Sequence, residues 1–295
     1  MNILTFDIEE WFVVKTLYGD CLSRYYLFDR CLDSILDLLD KRQLKGTFFC
    51  LGQMAELFPE VVRKIFDRGH EIGCHSNYHT WLNKMSRDEV YEDTRQAIDS
   101  LQQLIGQKVV SYRAPAFSIG KENIWAFEVL AECGIERDAS VYPAVRDFGG
   151  FAEFGQQRPS MVKRGGCAIK EFPICLTRLM GKEMAYSGGG YFRFFPLWFV
   201  KDSMRQSDYN MCYFHIEDLV PEIIGVMSKE DYESYFKEPG TLKNRYKRYF
   251  KENVGKGRAL SKMKALVSTT DFVNLEAADR LIDWEKVETV CLDNL

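Results

Sequence analysis

The first 216 residues alternate between short runs rich in β-branched and aromatic residues and longer segments with helical periodicity. The short runs are predicted strands, at 3–8, 46–51, 71–75, 109–113, 137–141, 169–176 and 211–216. Predicted helices lie between them, at 28–41, 86–105, 122–133 and 196–206. Alternation of this kind is typical of parallel strands joined by crossover helices, so it predicts an α/β barrel or a doubly wound sheet.

Glycine-rich and charged segments narrow this choice. No G-x-G-x-x-G follows the first predicted strand, and the glycines at 188–190 lack the required spacing, which disfavours a dinucleotide site. Acidic, basic and imidazole side chains instead follow several different strands, where barrel enzymes keep their chemistry. The segments 142–168 and 177–195 interrupt the alternation with glycine and aromatic residues, and we expect both to be loops over this face.

Composition excludes several classes of protein. The 39 Lys and Arg against 43 Asp and Glu give a net charge of −4, so no nucleic-acid partner is predicted. Nine cysteines without a C-x-x-C pair favour scattered reduced core residues over a disulfide framework or a thiolate zinc site. No apolar run approaches the roughly 20 residues that cross a bilayer, and the first residues read as a strand rather than a signal peptide. We therefore expect a cytoplasmic protein.

Two of the four histidines are spaced for a metal ion. His75 and His79 follow the third predicted strand, and a helical turn there would put both imidazoles on one face. Ser76 rather than glutamate follows the first histidine, so the pair is not the metalloprotease motif. Taken alone, the spacing leaves open both a metal site and a pair of surface histidines, and the surface pair is the favoured interpretation.

Three further candidates follow strands. Asp7 and Glu9 share one face of the first strand by alternation, and with Glu10 they would repel one another without a cation or an arginine nearby. Arg113 precedes a rigid proline turn and is suited to hold a carboxylate through two hydrogen bonds. His215 ends the last strand. Each alone has an ordinary explanation, an acidic loop or a core histidine, but all would lie at the same end of a barrel.

Together these residues make the chain resemble the polysaccharide deacetylase family with the NodB-homology domain, carbohydrate esterase family 4. The resemblance covers about residues 2–216 and follows the family's motif order, at 5–7, 75–79, 113–115, 138–140 and 213–215. The segment 69–73 also matches, and we expect its His70 to be structural. The closer match is the subgroup found with bacterial exopolysaccharide loci, at 7–12, 188–193 and 261–275.

The resemblance implies a fold and a metal site. The expected fold is a distorted (β/α)7 barrel over residues 1–220, with a helical C-terminal extension, 221–295, packed on the barrel. The expected cofactor is a divalent metal, with zinc the favoured ion. Its implied ligands are two nitrogens and one carboxylate, from His75, His79 and Glu9.

The other motif residues take the implied catalytic roles. Asp7 would be the general base, held charged and oriented by Arg113. His215 would be the general acid that protonates the leaving amine, with Asp138 as its orienting or charge-stabilising neighbour. The metal and a backbone N–H near Ala116 would stabilise the tetrahedral oxyanion. The implied reaction is hydrolysis of N-acetyl groups on a polysaccharide or glycan precursor, with release of acetate.

Three positions depart from the family pattern. Ile8 replaces the second of two adjacent aspartates, so the carboxylate ligand shifts to Glu9 or, as the less favoured choice, to Glu10. The fourth motif lacks its usual downstream tryptophan, and Tyr213 stands where leucine commonly lines the acetyl pocket. The first departure bears on the metal, and the other two bear on the substrate and its acyl group.

Two other functions compete with deacetylation. An amidohydrolase acting on a small non-sugar amide would keep the barrel and change the bond that is cut. A catalytically dead carbohydrate-binding protein would keep the fold alone, but the intact set of motif residues argues against it.

A basic stretch lies beyond the motifs. Residues 243–264 hold nine Lys and Arg and a single acid, Glu252. The stretch is either a solvated helix face, which is the favoured interpretation, or a segment that associates weakly with anionic lipid or a lipid-linked glycan.

Overall fold

The computed structural model describes residues 1–9, 22–146, 149–179, 181–223, 225–236 and 238–294. The strands in these residues are β1 (Asn2–Ile8), β2 (Thr47–Cys50), β3 (Glu71–Cys74), β4 (Ser111–Tyr112), β5 (Arg137–Asp138), β6 (Ser160–Arg164), β7 (Cys167–Glu171), β8 (Leu176–Leu179), β9 (Lys182–Ala185), β10 (Asn210–His215) and β11 (Glu288–Cys291). Nine of them form one sheet in the order β10-β1-β2-β3-β4-β5-β7-β6-β11, and β8 and β9 form a separate hairpin.

The seven predicted strands are all present, and they are the ones that run parallel in succession from β10 to β7. The segment after β7 then meets β10. The Met211 N–H donates to Cys175 Sγ at 3.1 Å, and the Tyr209 hydroxyl donates to the Pro173 carbonyl at 2.8 Å. The predicted distorted barrel is confirmed. In the described residues, the segment after β7 is joined to β10 by side-chain hydrogen bonds and not by a strand ladder.

Helices connect the parallel strands and continue after the last one. They are α1 (Leu22–Lys41), α2 (Gly52–Leu57), α3 (Pro59–Asp67), α4 (Arg87–Ile105), α5 (Ala126–Glu132), α6 (Gly189–Phe194), α7 (Leu197–Arg205), α8 (Lys229–Phe236), α9 (Leu242–Asn253), α10 (Lys256–Val267) and α11 (Leu275–Leu281). The four predicted helices correspond to α1, α4, α5 and α7. The sequence did not indicate α2 and α3, which are short and separated only by Phe58.

The expectation that 142–168 and 177–195 are loops is partly wrong. β6 lies in the first segment and pairs antiparallel with β7, whereas the β8–β9 hairpin and α6 occupy most of the second. These elements are short and mix buried with exposed residues irregularly. No regular apolar period therefore marks them in the sequence.

Side chains along β1 and β10 alternate between two faces of the sheet. One face belongs to the core and the other to the candidate site. Phe6 stacks on Phe48 at 4.9 Å between ring centroids, and Phe214 lies 4.9 Å from Phe192 of α6, so this face packs against the helices. Burying each of these rings contributes about 1.5–3 kcal/mol. Asp7 and His215 occupy the alternate positions and are paired directly across the ladder, so both belong to the opposite, interior face.

The C-terminal segment packs near the amino ends of the strands. The Leu4 N–H donates to the Val273 carbonyl at 3.0 Å, and the Leu275 N–H, at the start of α11, donates to the Thr47 hydroxyl at 2.7 Å. β11 pairs with β6 and adds a strand to a segment that we expected to be helical. The boundary at residue 220 stays a prediction. Throughout the described ranges, every helix is too short or too polar to cross a membrane.

Candidate metal and catalytic site

Three side chains converge where β1 and β3 end. Glu9 follows β1 directly, and its Oε2 lies 2.9 Å from Nε2 of His75 and 2.7 Å from Nε2 of His79. The ligand atoms of the three residues all lie within 4.8 Å of one another. The structure thus brings together the three residues predicted to hold a metal. Two imidazole nitrogens and a carboxylate oxygen are ligands that zinc prefers.

The two histidines meet through a tight turn rather than the helical turn that we expected. Ser76 and His79 take left-handed backbone conformations, with φ of 68° and 59°. Such a conformation costs about 1–2 kcal/mol per residue. The Ser76 hydroxyl accepts a hydrogen bond from the His79 N–H at 3.0 Å, and buried Asp93 of α4 accepts one from the Asn77 N–H at 2.8 Å. These two contacts hold the turn in the shape that points both rings at Glu9.

A backbone carbonyl fixes the orientation of His75. Its Nδ1 lies 2.7 Å from the carbonyl oxygen of Arg113. Since a carbonyl only accepts hydrogen bonds, Nδ1 must carry a proton and Nε2 is the nitrogen that faces Glu9. Metal-binding histidines are commonly oriented in this way, through the ring nitrogen that does not bind the metal.

Asp7 and Arg113 form a buried ion pair beside these residues. Arg113 Nη1 donates to Asp7 Oδ1 at 2.7 Å and to the Thr5 hydroxyl at 2.8 Å. Its Nε donates to the Ala139 carbonyl at 3.1 Å, and the guanidinium lies 4.4 Å from the centre of the Phe49 ring. A buried ion pair is tolerated only when further contacts satisfy its members, and these contacts do so for Arg113. The carboxylate is therefore fixed in position.

His215 faces both carboxylates. Its Nε2 lies 3.3 Å from Glu9 Oε1 and 3.8 Å from Asp7 Oδ2, and its Nδ1 lies 2.9 Å from Asp218 Oδ2. Burial lowers the pKa of His215, but the charges of Glu9 and Asp218 and the hydrogen bond to Asp218 outweigh it and raise the pKa to about 10. The imidazole is therefore held in its protonated form.

Glu9 is held in its charged form by the same contacts. Burial raises the pKa of this carboxyl, but the charges of His79 and His215 and the hydrogen bonds from His75 and His79 outweigh it, so the pKa lies well below its usual range. Glu10, the alternative carboxylate ligand, lies outside the described residues.

The expected pairing of Asp138 with His215 is wrong, because Asp218 occupies that place. β10 runs into a short 3-10 turn, Glu217–Leu219, which carries Asp218 back to Nδ1 of His215. The carboxylate of Asp138 instead accepts a hydrogen bond from the Ser140 hydroxyl at 2.6 Å, within its own turn. An acid three residues after a histidine at the end of a strand is the sequence signal that would have found Asp218.

Asp138 lies in β5, beside the turn that carries Arg113. It pairs across the ladder with Glu171 of β7, and burial raises the pKa of both carboxyls. A proton shared between two such groups relieves their repulsion. The Ser140 hydroxyl, which donates to Asp138, also accepts the Ala114 N–H at 2.7 Å. The acidic pair is thereby tied to the turn that carries Arg113.

Arg193 connects the site to the C-terminal helices. Its Nε lies 2.9 Å from Asp218 Oδ1. Its terminal nitrogens donate to carbonyl oxygens at the end of α9, those of Lys251 at 2.9 Å, Val254 at 3.2 Å and Glu252. These partners are 58 to 61 residues away along the chain, so sequence spacing did not indicate the contact.

The two predicted substrate-contact residues, Ala116 and Tyr213, are joined through Phe117. Ala116 and Phe117 both have a φ of 54°, and the Phe117 ring lies 4.9 Å from that of Tyr213. The Tyr213 ring lies 6.3 Å from that of His215. Gly188 packs directly on Tyr213, because a Cβ there would lie 2.4 Å from the ring. A larger residue at position 188 would therefore displace this aromatic wall.

Comparison with known families gives two matches. Residues 3–136 match the family described as polysaccharide deacetylase, and residues 139–279 match a domain of unknown function, DUF3473. The three candidate metal ligands lie in the first match, whereas Arg193, His215 and Asp218 lie in the second. The site is therefore built from both matched regions.

Relatives with assigned names cover parts of the chain. A peptidoglycan-N-acetylglucosamine deacetylase of Bacillus cereus is 37% identical over 95 residues, which are 32% of this chain and 34% of that protein. A chitooligosaccharide deacetylase of Bradyrhizobium is 30% identical over 129 residues, 41% of this chain and 56% of that protein. The chain thus spans between a third and just over half of the length of these relatives.

Several solved structures match almost the whole chain, among them the following one. It comes from Mycobacterium smegmatis and carries a polysaccharide deacetylase designation. Its TM-score is 0.61 at 16% identity, over 97% of this chain and 91% of that one. At this identity the similarity supports the fold.

Proposed function

We propose that this chain, whose residues 3–136 match the polysaccharide deacetylase family, uses a divalent metal ion to hydrolyse N-acetyl groups on a glycan. The observation that carries the proposal is the convergence of Glu9, His75 and His79 on one point. Asp7 and His215 lie beside that point and supply a base and an acid. The products are acetate and a glycan with a free amine.

The donor atoms fit a divalent cation. A carboxylate oxygen that lies 2.9 and 2.7 Å from two imidazole nitrogens requires either a hydrogen on each of these nitrogens or a metal ion that the three atoms share. Two nitrogens and one oxygen leave a four-coordinate ion one open position, as in catalytic zinc sites. When bound there, such an ion supplies Lewis acidity, which lowers the pKa of water and polarises a carbonyl oxygen.

Asp7 is the proposed general base. Its Oδ1 is held by Arg113, whereas its Oδ2 lies 3.8 Å from Nε2 of His215. Asp7 would take a proton from the attacking water as the new bond to the acetyl carbon forms. Arg113 balances the charge of the carboxylate and fixes its direction.

His215 is the proposed general acid. The bond from the acetyl carbon to nitrogen breaks more easily when the leaving nitrogen gains a proton, and Nε2 of His215 is positioned on the site side of the ring to donate it. Asp218 holds Nδ1 and thereby the orientation of the ring. Arg193 in turn holds Asp218, so we propose both as positioning residues.

Ala116 and Tyr213 are proposed to hold the acetyl group. The N–H of Ala116 lies at the start of a single 3-10 turn, where amides have no carbonyl partner within the turn. It is suited to bind the carbonyl oxygen as negative charge develops there. The buried rings of Phe117 and Tyr213 provide an apolar wall for the methyl group.

Acetate release from N-acetylglucosamine oligomers tests this proposal, since the two named relatives act on glycans that contain this sugar. We expect a chelator to abolish release and added zinc to restore it. His79→Ala should abolish both zinc binding and acetate release. His70→Gln, at the far end of β3, is the matched control and should retain both.

Three other results would point to a different mechanism or function. Release that persists with chelator and in His79→Ala would contradict the metal mechanism. Turnover of non-sugar amides alone would favour an amidohydrolase. Glycan binding without turnover of any acetylated sugar would favour the carbohydrate-binding alternative.

A further inference from the structure

Helix α9 presents two parallel rows of side chains to solvent. The apolar row, with exposed fractions of 66%, 48%, 60% and 42%, consists of Leu242, Tyr246, Phe250 and Val254. The second row consists of the exposed lysines Lys243, Lys247 and Lys251. Residues four apart lie along one side of a helix, so the two rows run side by side over the length of α9.

The opposite side of α9 faces the rest of the protein. The Arg248 guanidinium lies 4.8 Å from the centre of the Phe236 ring of α8, and Arg248 also pairs with Glu252. Glu252 is the single acid of α9, against five Lys and Arg. No residue of α9 is buried. The helix therefore packs on its neighbours with one side, and among the described residues nothing covers its cationic, apolar side.

An exposed aromatic residue, Phe194, lies near the end of the apolar row. It is 69% exposed. Phe194 follows Arg193, which donates to the carbonyls at the end of α9, and a Cβ on Gly255 would touch the Arg193 backbone at 2.4 Å. Contiguous exposed apolar groups with a polar border mark interaction surfaces.

The structure also divides the basic stretch of 243–264. Lys256 of α10 is buried and lies 3.8 Å from Glu217. Lys262 donates to the backbone carbonyls of Arg193 and Phe195. These α10 lysines serve internal packing, so the outward-facing lysines of the stretch are concentrated on α9.

We propose that the α9 surface, defined as the two rows above with Phe194, docks onto an anionic lipid bilayer. Helices that lie in the plane of a membrane combine Lys with Trp, Phe and Leu in this manner, with apolar groups entering the acyl boundary and lysines meeting anionic headgroups. A second copy of the chain fits less well. A symmetric contact would bring two surfaces of like charge together.

Docking would place the proposed active site close to the lipid surface. Arg193 contacts both the end of α9 and Asp218, which holds His215. The site and the α9 surface are therefore separated by two side chains. An N-acetylated glycan attached to a lipid would then present its sugar at the site. This last step rests on the proposed function, whereas the docking does not.

Co-sedimentation of the full chain with vesicles tests the docking. We expect binding to vesicles of phosphatidylcholine with phosphatidylglycerol, and much weaker binding to phosphatidylcholine alone. In the double variant Lys243→Glu and Lys247→Glu, binding should weaken about fivefold for each lysine removed, and more for the reversed charges. Phe250→Ser should also weaken it. The matched control, Lys108→Glu with Lys121→Glu, makes the same charge change at exposed lysines elsewhere and should bind normally.

Several outcomes would overturn the docking. They are no binding by the intact chain, equal binding to neutral vesicles, or equal loss in the control variant. A dimer in sedimentation equilibrium that Phe250→Ser dissociates would assign the surface to a second copy instead. Acetate release from soluble oligomers is measured in parallel and should be unchanged in all these variants. Vesicle binding without any acetate release would leave the docking intact and contradict the proposed function alone.

Discussion

The two ends of the barrel both carry buried charge, but they balance it differently. At the amino end, Glu71 accepts four hydrogen bonds, which come from Ser111, Arg137, Thr47 and the Glu276 N–H at 2.6, 3.3, 2.7 and 2.8 Å. Asp279 of α11 lies 3.2 Å from Arg137 and 2.7 Å from Lys170. Two carboxylates thus meet two permanent cations, and each oxygen of Glu71 has two partners.

At the carboxyl end, Glu9 has no such partners among the described residues. The groups that contact its carboxylate are imidazoles. Those of His75 and His79 can bind a metal through Nε2 once that nitrogen carries no proton. The charged groups of the amino end are saturated with partners and are expected to contribute stability, whereas the carboxyl end holds the proposed metal site. Barrel enzymes in general divide stability and function between their two ends in this way.

The largest expected difference between the two ends lies in activity. His79→Ala removes one of three candidate ligands, so the variant should lose the metal. Loss of the metal should remove several kcal/mol of transition-state stabilisation. Acetate release should fall about 1,000-fold or more, while the thermal midpoint of the metal-free protein changes little. Calorimetric titration with zinc checks metal binding, and acetate assays check activity. A His79→Ala variant that still binds zinc tightly would contradict the proposed difference between the two ends of the barrel.

Glu71→Ala should produce the opposite pattern. Without this carboxylate Arg137 loses a buried partner, and the free energy of unfolding should fall by about 3–5 kcal/mol. Urea denaturation measures this, with the exposed Glu288→Ala as control. Zinc affinity of the folded fraction should be unchanged. A loss of zinc affinity comparable to that of His79→Ala would contradict the comparison.

Two histidines show the same contrast in their titration. His70, at the amino end, is buried and accepts the Gly46 N–H at 3.2 Å through Nδ1, whereas no hydrogen bond reaches its Nε2 within the described structure. Burial and, to a smaller extent, the charge of Lys45 lower the pKa of His70 to about 4. His215, at the carboxyl end, is shifted in the opposite direction.

His70 should therefore weaken the fold in acid. The unfolded chain takes up a proton below pH 6.5 and the folded chain only near pH 4, so stability falls as pH decreases across that window. The expected loss is about 3 kcal/mol at pH 4. Urea denaturation of His70→Gln, in which an amide oxygen can accept the Gly46 N–H, should show a shallower decline than the parent chain. Parallel curves for the two proteins would show that His70 does not titrate in this way.

Asp218→Asn should give the smallest change of these variants. It tests which carboxylate at the carboxyl end of the barrel orients His215. We expect kcat to fall about tenfold because His215 loses its charged partner. Activity requires protonated His215 and declines as pH rises through its pKa. Removing the negative charge lowers that pKa, so the decline should move to lower pH. Asp138→Asn is the matched control and should leave the position of this decline unchanged. A shift in Asp138→Asn alone would restore the expected pairing that the structure replaces.

The parts of the molecule that sequence could predict are those with local patterns. The seven parallel strands follow from apolar runs separated by helical periods, and His75 with His79 follows from spacing. Asp7 and His215 were expected at one end of the barrel because each closes a strand. The ladder then places them directly opposite each other.

The remaining parts depend on contacts that spacing does not encode. Asp218 reaches His215 only because the chain turns immediately after β10. Arg193 meets Asp218 and the end of α9, and Asp279 meets Arg137, 142 residues away. The strand β6 pairs as an antiparallel insertion in an otherwise parallel order. Tertiary packing decides such contacts, and neither propensity nor periodicity records them.

Diffraction at the zinc absorption edge, from crystals grown with zinc, tests the central claim most directly. We expect one strong anomalous peak about 2.0–2.2 Å from Nε2 of His75, Nε2 of His79 and a carboxylate oxygen of Glu9. A peak elsewhere with these three side chains still hydrogen-bonded to one another would contradict the account. So would a zinc-soaked crystal with no peak at all.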